Sequence, residues 1–196
     1  MGAAFGVFGD NMASLVANGF FSWFQLEPSM EPSLPGERIY RPNGPAFRAL
    51  VALVAEVDPH GRIERLSLKV ARGFIDNPRQ SAFARDIVKS FLDGVAGDDQ
   101  ARVARLVQDI FLRDLDGPAS MAGPRPMLGG EPAAGYAVFR GKEDAWDVAL
   151  SRVALSLTNT EGPDGAWFTA RAAALPHAPK GLLGRAKDLW SALRSE

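Results

Sequence analysis

Ala46-Phe47-Arg48-Ala49-Leu50-Val51-Ala52-Leu53-Val54-Ala55-Glu56-Val57, then Asp58-Pro59-His60-Gly61, then Arg62-Ile63-Glu64-Arg65-Leu66-Ser67-Leu68-Lys69-Val70-Ala71-Arg72, is the stretch that decides the fold. Its middle four residues are turn chemistry. Aspartate at the first position can bond its own backbone, proline presets φ at the second, and glycine accepts a left-handed conformation at the fourth. After the turn Leu66, Leu68 and Val70 alternate with Ser67, Lys69 and Ala71, the period-2 pattern of a half-buried strand. Before it, Ala46–Val57 is apolar at nearly every position, as a central strand covered on both faces would be. Helical spacing over Phe47–Val54 is the competing reading. The stretch predicts a β-hairpin, with Leu53–Val57 pairing with Arg62–Leu66.

Upstream, residues 27–45 read as a loop broken by Pro28, Pro32, Pro35, Pro42 and Pro45, with room for a short strand around Arg38–Arg41. Residues 1–26 form an apolar N-terminal segment whose one charge is Asp10. From Asn11, Met12, Leu15, Val16, Gly19, Phe20, Trp23 and Phe24 recur at helical spacing, with Asp10 or Asn11 as N-cap. The uncharged run from Asn11 to Leu26 is 16 residues long, short of the roughly 20 that a membrane span needs.

Downstream, Asn77-Pro78 opens a predicted helix with Phe83, Ile87 and Phe91 on one stripe, stopped by Gly94 and Gly97. Asp98 and Asp99 open a second, with Val103, Leu106, Val107, Ile110 and Phe111 on its inner face. Residues 116–135 are a Gly/Pro/Ala-rich loop. Residues 136–175 form a second strand unit: a short strand over Tyr136–Arg140, a long one over Trp146–Leu157, a turn at Asn159–Gly165 and a return through Trp167-Phe168-Thr169. Helical spacing fits Trp146–Leu157 as well, but the turn after it favours strands. A C-terminal amphipathic helix, 180–194, presents Leu182, Leu183, Ala186, Leu189, Trp190 and Leu193.

The two strand units follow the same order, which raises a pseudo-repeat: Tyr40-Arg41, a long strand and its return against Phe139-Arg140, a long strand and its return. The fold expected is α+β, one domain over 1–196, with an antiparallel sheet from two hairpin units and four to five amphipathic helices. One compact domain is what roughly 100–200 residues provide, and a core of this size needs no staples. There is no cysteine, so neither disulfides nor thiolate chemistry is available. Net charge is −1, without the clustered cations that a nucleic-acid footprint requires. No basic stretch ahead of an apolar run marks a signal peptide, so a soluble cytoplasmic protein is expected, with export after loss of a signal segment as the alternative.

Chemistry-bearing motifs are scarce. Gly2-Ala3-Ala4-Phe5-Gly6 and Gly181-Leu182-Leu183-Gly184-Arg185-Ala186-Lys187 lack the remainder of a phosphate-loop fingerprint and read as helix packing or capping. His60 and His177 have no nucleophile beside them. Asp58 with His60 is the one metal-like pair, and the turn explains Asp58. Asp98-Asp99 and Glu143-Asp144 begin elements and read as capping. Neither cofactor nor metal is expected.

Two functional classes stay open: a non-catalytic binding or adaptor module for a protein partner or amphipathic ligand, and an enzyme with catalytic residues scattered over loops. The scarcity of catalytic residue types favours the first. The expected surface comprises Trp23 and Phe24 of the N-terminal stripe, Leu189 and Trp190 of the C-terminal one, and Arg65 and Lys69. These two cations share one face of the returning strand, where an anionic ligand or acidic partner segment would dock. The apolar termini also allow peripheral membrane contact.

Overall fold

The computed structural model describes residues 4–31, 33–99, 101, 103, 135, 137–162 and 165–175. The fold is α+β, and its centre is one antiparallel sheet of seven strands. The chain enters through a 3-10 turn at Gly6–Phe8 and two one-turn helices, α1 (Met12–Val16) and α2 (Gly19–Trp23). Strands β1 (Leu26–Pro28) and β2 (Glu37–Pro42), a helical turn α3 (Pro45–Arg48), and strands β3 (Val51–Val57) and β4 (Ile63–Ala71) follow. Next come α4 (Arg72–Asp76), the long helix α5 (Ser81–Ala96), and strands β5 (Ala145–Ala149), β6 (Val153–Gly162) and β7 (Gly165–Ala174). The order across the sheet is β1-β2-β3-β4-β7-β6-β5. Strands β2-β3-β4 and β5-β6-β7 are therefore two meanders, joined edge to edge by β4 and β7.

The decisive hairpin is present. Gly61 carries φ of +76°, and Asp58 Oδ1 accepts from both His60 N–H and Arg62 N–H at 2.8 Å. The register differs from a simple closure by two residues: Val57 pairs with Ile63 rather than Arg62, and a bulge between Glu56 and Val57 adds one more, so that Leu53 pairs with Leu68 rather than Leu66. The extra residue on β4 makes the total offset even and so keeps both apolar sets on one face.

One helix-lined cluster forms the core. It combines Val51, Leu53, Leu66, Leu68, Val70, Leu155, Leu157, Phe168, Ala170 and Ala172 of the sheet with Leu15, Phe20, Phe74, Ile87, Phe91 and Val138. All these strand positions have one parity, so the cluster occupies one face of the sheet. Ala52, Val54 and Ala154 have the other parity; they are buried yet stand outside the cluster.

Several expectations are corrected. The helical spacing after Asn11 breaks at Ala17-Asn18. Asn11 caps α1, and Asn18 caps α2 by accepting from Phe20 N–H at 2.8 Å. The 27–45 loop contains β1 as well as β2. Phe47 stacks on Phe83 with ring centroids 4.7 Å apart, and this holds Pro45–Arg48 as a helical turn, so the first hairpin arm begins only at Val51. Helix α5 starts at Ser81, since Asn77 Oδ1 accepts from Arg79 N–H in a preceding turn. It also runs through Gly94 and ends at Gly97.

Residues 137–139 are helical, not a strand. Val138 and Phe139 are both buried, and the turn closes as Gly141 N–H donates to the Val138 carbonyl at 2.9 Å and Lys142 N–H to the Ala137 carbonyl at 2.8 Å. The predicted single strand over Trp146–Leu157 is two strands turning at Leu150–Arg152. With residues 137–139 helical, the expected repeat loses its first matched pair. The four to five amphipathic helices become one long helix and a set of one-turn pieces among the described residues. Ala101 and Val103 are helical, but the rest of the second helix, the 116–134 loop, and the C-terminal helix with Leu189 and Trp190 lie outside the described residues.

Candidate functional site

Alternation carries Arg65, Ser67 and Lys69 of β4 to the face away from the core cluster. Pairing then aligns rows across the sheet. One runs Val54, Ser67, Arg171, Ser156, Asp147; the next runs Ala52, Lys69, Thr169, Thr158, Ala145. This outer face mixes small and hydroxyl residues with long cations, and its rows also hold Val54 and, on the edge strand β5, the carboxylate Asp147. Among the described residues every helix with core residues packs into the cluster on the opposite side.

Ser67 and Thr169 are 3% and 5% exposed. Their neighbours account for this: Arg65 and Lys69 flank Ser67 along β4, Arg171 stands beside it on β7, and Trp167 and Arg171 flank Thr169. Aliphatic stems of such side chains cover small residues while their heads reach outward.

The cations of this face differ in how they are neutralised. Arg65 pairs with Glu56 at 2.8 Å. Arg41 on β2 pairs with Glu31 at 2.9 Å, and its Nη1 donates to the carbonyls of Arg48 and Val51. Lys69 and Arg171 have no ion pair among the described residues. The Nε atoms of Arg41 and Arg171 are buried and have no hydrogen-bond partner. Buried donors are nearly always satisfied, and each orphan costs about 1–3 kcal/mol.

A groove of about 240 Å³ lies on this face, lined by Arg41, Ala52, Lys69, Thr160, Trp167 and Thr169. Its donors are two cations and two hydroxyls, Trp167 supplies an apolar wall, and no carboxylate lines it.

The expected site residues divide between two surfaces. Arg65 and Lys69 share the outer face, as their spacing indicates. Trp23 is 75% exposed on α2, whereas Phe24 is half-buried and packs on Phe20 and Phe83. Both belong to the helical side, so the structure does not join them to Lys69. Arg171, Arg41 and Trp167 were not singled out by the sequence. The alternation of Trp167, Thr169 and Arg171 against Phe168, Ala170 and Ala172 carries their signal.

Asp58 and His60 form only the turn. Hydrogen bonds from Arg62 and His60 backbone N–H, the former the stronger influence, hold the Asp58 carboxyl below its usual range. No group of three His, Cys, Asp or Glu that could hold a metal occurs among the described residues, and no helix there is long and apolar enough to cross a membrane. Compared with known proteins, the chain matches no family model, no curated protein and no solved structure.

Proposed function

We propose that this chain is a non-catalytic binding module whose outer sheet face receives an acidic segment of a protein partner. The observation that carries the reading is the pair Lys69 and Arg171. They stand on the central strands β4 and β7, among hydroxyl side chains, without a carboxylate partner among the described residues. A flat polar face of this kind offers cations and hydroxyl donors to carboxylates, and charge complementarity supplies orientation and association rate. Arg65 contributes less, because Glu56 already neutralises it.

A fluorescein-labelled hexaglutamate peptide tests the reading by fluorescence anisotropy. Binding at low salt should weaken steadily as ionic strength rises, since exposed charges are screened over roughly 10 Å at 0.1 M. Lys69→Glu, at an exposed position, should weaken it by about tenfold, the scale of one charged contact replaced by repulsion. Arg171→Gln should weaken it in the same direction, and Trp23→Ala should leave it unchanged. Unaltered affinity in Lys69→Glu contradicts the assignment. The exposed apolar side chains Trp23, Val16 and Val7 keep peripheral membrane contact as a second reading, which flotation with phosphatidylcholine vesicles would detect.

A further inference from the structure

The groove beside Trp167 has a composition that the rest of the outer face lacks. Arg41 lines one end, Lys69 stands beside Ala52 on the neighbouring strand, and Thr169 faces Lys69 across the β4–β7 pair. Trp167 lies two residues further along β7, paired with Thr160 of β6. Two positive charges, two hydroxyls and one indole thus surround a single small space.

Its volume, about 240 Å³, lies below the roughly 300–1,000 Å³ of pockets that take drug-sized ligands. A small molecule or one terminal group fits it; an extended cofactor does not. We propose that this groove binds a small anion whose carboxylate or phosphate head is joined to a flat ring. The inference rests on the reading that the outer face is the binding surface.

Three features carry the argument. First, Glu31 already neutralises Arg41, but Lys69 has no carboxylate partner among the described residues, so an anionic head brings Lys69 the missing counter-charge, and charge-assisted hydrogen bonds are the strong ones. Second, Arg41 is already fixed by Glu31 and the carbonyls of Arg48 and Val51. The guanidinium is thus held in place without a further ordering cost on binding. Third, an inorganic anion would use the cations and hydroxyls but leave the indole unused. A flat ring uses it by stacking, as aromatic pairs prefer in offset or edge-to-face geometry.

The test is an NMR titration of the full chain, following the indole N–H resonance of Trp167, which Trp167→Phe identifies by its disappearance. The probes are phenyl phosphate, benzoate and inorganic phosphate. Phenyl phosphate or benzoate should shift the resonance saturably, with a Kd about tenfold below that of inorganic phosphate, the scale of one aromatic contact. Tighter phenyl phosphate identifies a phosphate head and tighter benzoate a carboxylate head.

Lys69→Met should raise the Kd of the aromatic anion by about tenfold, the scale of a hydrogen bond to a charged group. Trp167→Leu should abolish the advantage of the aromatic anion over inorganic phosphate, read in that variant from the Lys69 and Thr169 amides. Absence of a saturable shift, or a Kd unaffected by Lys69→Met, overturns the proposal. If hexaglutamate still binds in a Lys69-dependent way while neither aromatic anion moves Trp167, the groove assignment falls and the wider reading stands. If the aromatic anions bind as stated and hexaglutamate does not, the groove stands and the acidic-segment reading falls.

Discussion

At the scale of single residues, the Asp58–Gly61 turn shows most directly how side-chain chemistry fixes backbone. Gly61 has φ of +76° and an ideal Cβ there would meet nothing within 4 Å. Any penalty for a side chain is therefore purely conformational. Gly61→Val should lower unfolding free energy by about 1–2 kcal/mol, the cost of left-handed backbone for an L-residue, read from urea denaturation midpoints. An unchanged midpoint would mean that the turn relaxes to another form.

Asp58 adds a pH signature. Its folded pKa is lowered, so its carboxylate stabilises the fold above the unfolded value, near 3.8. That contribution is lost as pH falls from there through the folded value. Asp58→Asn should therefore flatten the acid limb of the stability profile below about pH 4. A profile that falls as steeply in the variant would place the acid sensitivity elsewhere. The parity of Arg65 and Lys69 is likewise a residue-scale fact, legible because a strand alternates faces with a period of two.

At the scale of elements, local signals and tertiary contacts compete. The β3–β4 hairpin was legible because turn and alternation are adjacent in sequence. Tyr136–Arg140 read as a strand from its aromatic and β-branched residues, but packing overrides such preference. The Phe139 ring packs edge-on against Phe168 at 5.4 Å, and Asn159 Nδ2 donates to the Val138 carbonyl. Helix α5 shows the same effect. Gly94 reads as a helix stop, yet it continues the helix because Phe8 lies against it. A Cβ at Gly94 would sit 2.5 Å from the Phe8 ring, and one at Gly6 would sit 2.3 Å from the Gly94 carbonyl oxygen.

Gly6 and Gly94 are thus packing devices between the first turn and α5. Gly94→Ala should cost about 1–3 kcal/mol through overpacking, although alanine is the better helix former. Trp23→Ala, at an exposed position, should stay within about 0.5 kcal/mol of the parent. Thermal denaturation of the two variants checks both, and a stabilised Gly94→Ala would mean that Phe8 moves aside without loss.

At the scale of the whole molecule, the sheet gathers what the sequence keeps apart. Arg65–Ala71 of β4 pairs with Trp167–Ala173 of β7, about a hundred residues later. Nothing local in either strand names the other, since both alternate and both would satisfy any antiparallel neighbour. The class of fold and the half of the outer face on β4 were therefore readable. Arg171, Trp167 and the groove were not, because they exist only through that long-range register. The sheet also separates two surfaces: a helical side with Trp23, and an outer face with Lys69 and Arg171.

The central claim is that the outer face, not the helical side, receives an anionic partner. Amide chemical-shift mapping of the full chain with hexaglutamate tests it most directly. The account predicts shifts that saturate together at Ser67, Lys69, Thr169 and Arg171, disappear at high salt, and leave the amides of α1 and α2 unmoved. Shifts confined to α1, α2 and Trp23, with β4 and β7 silent, would contradict it.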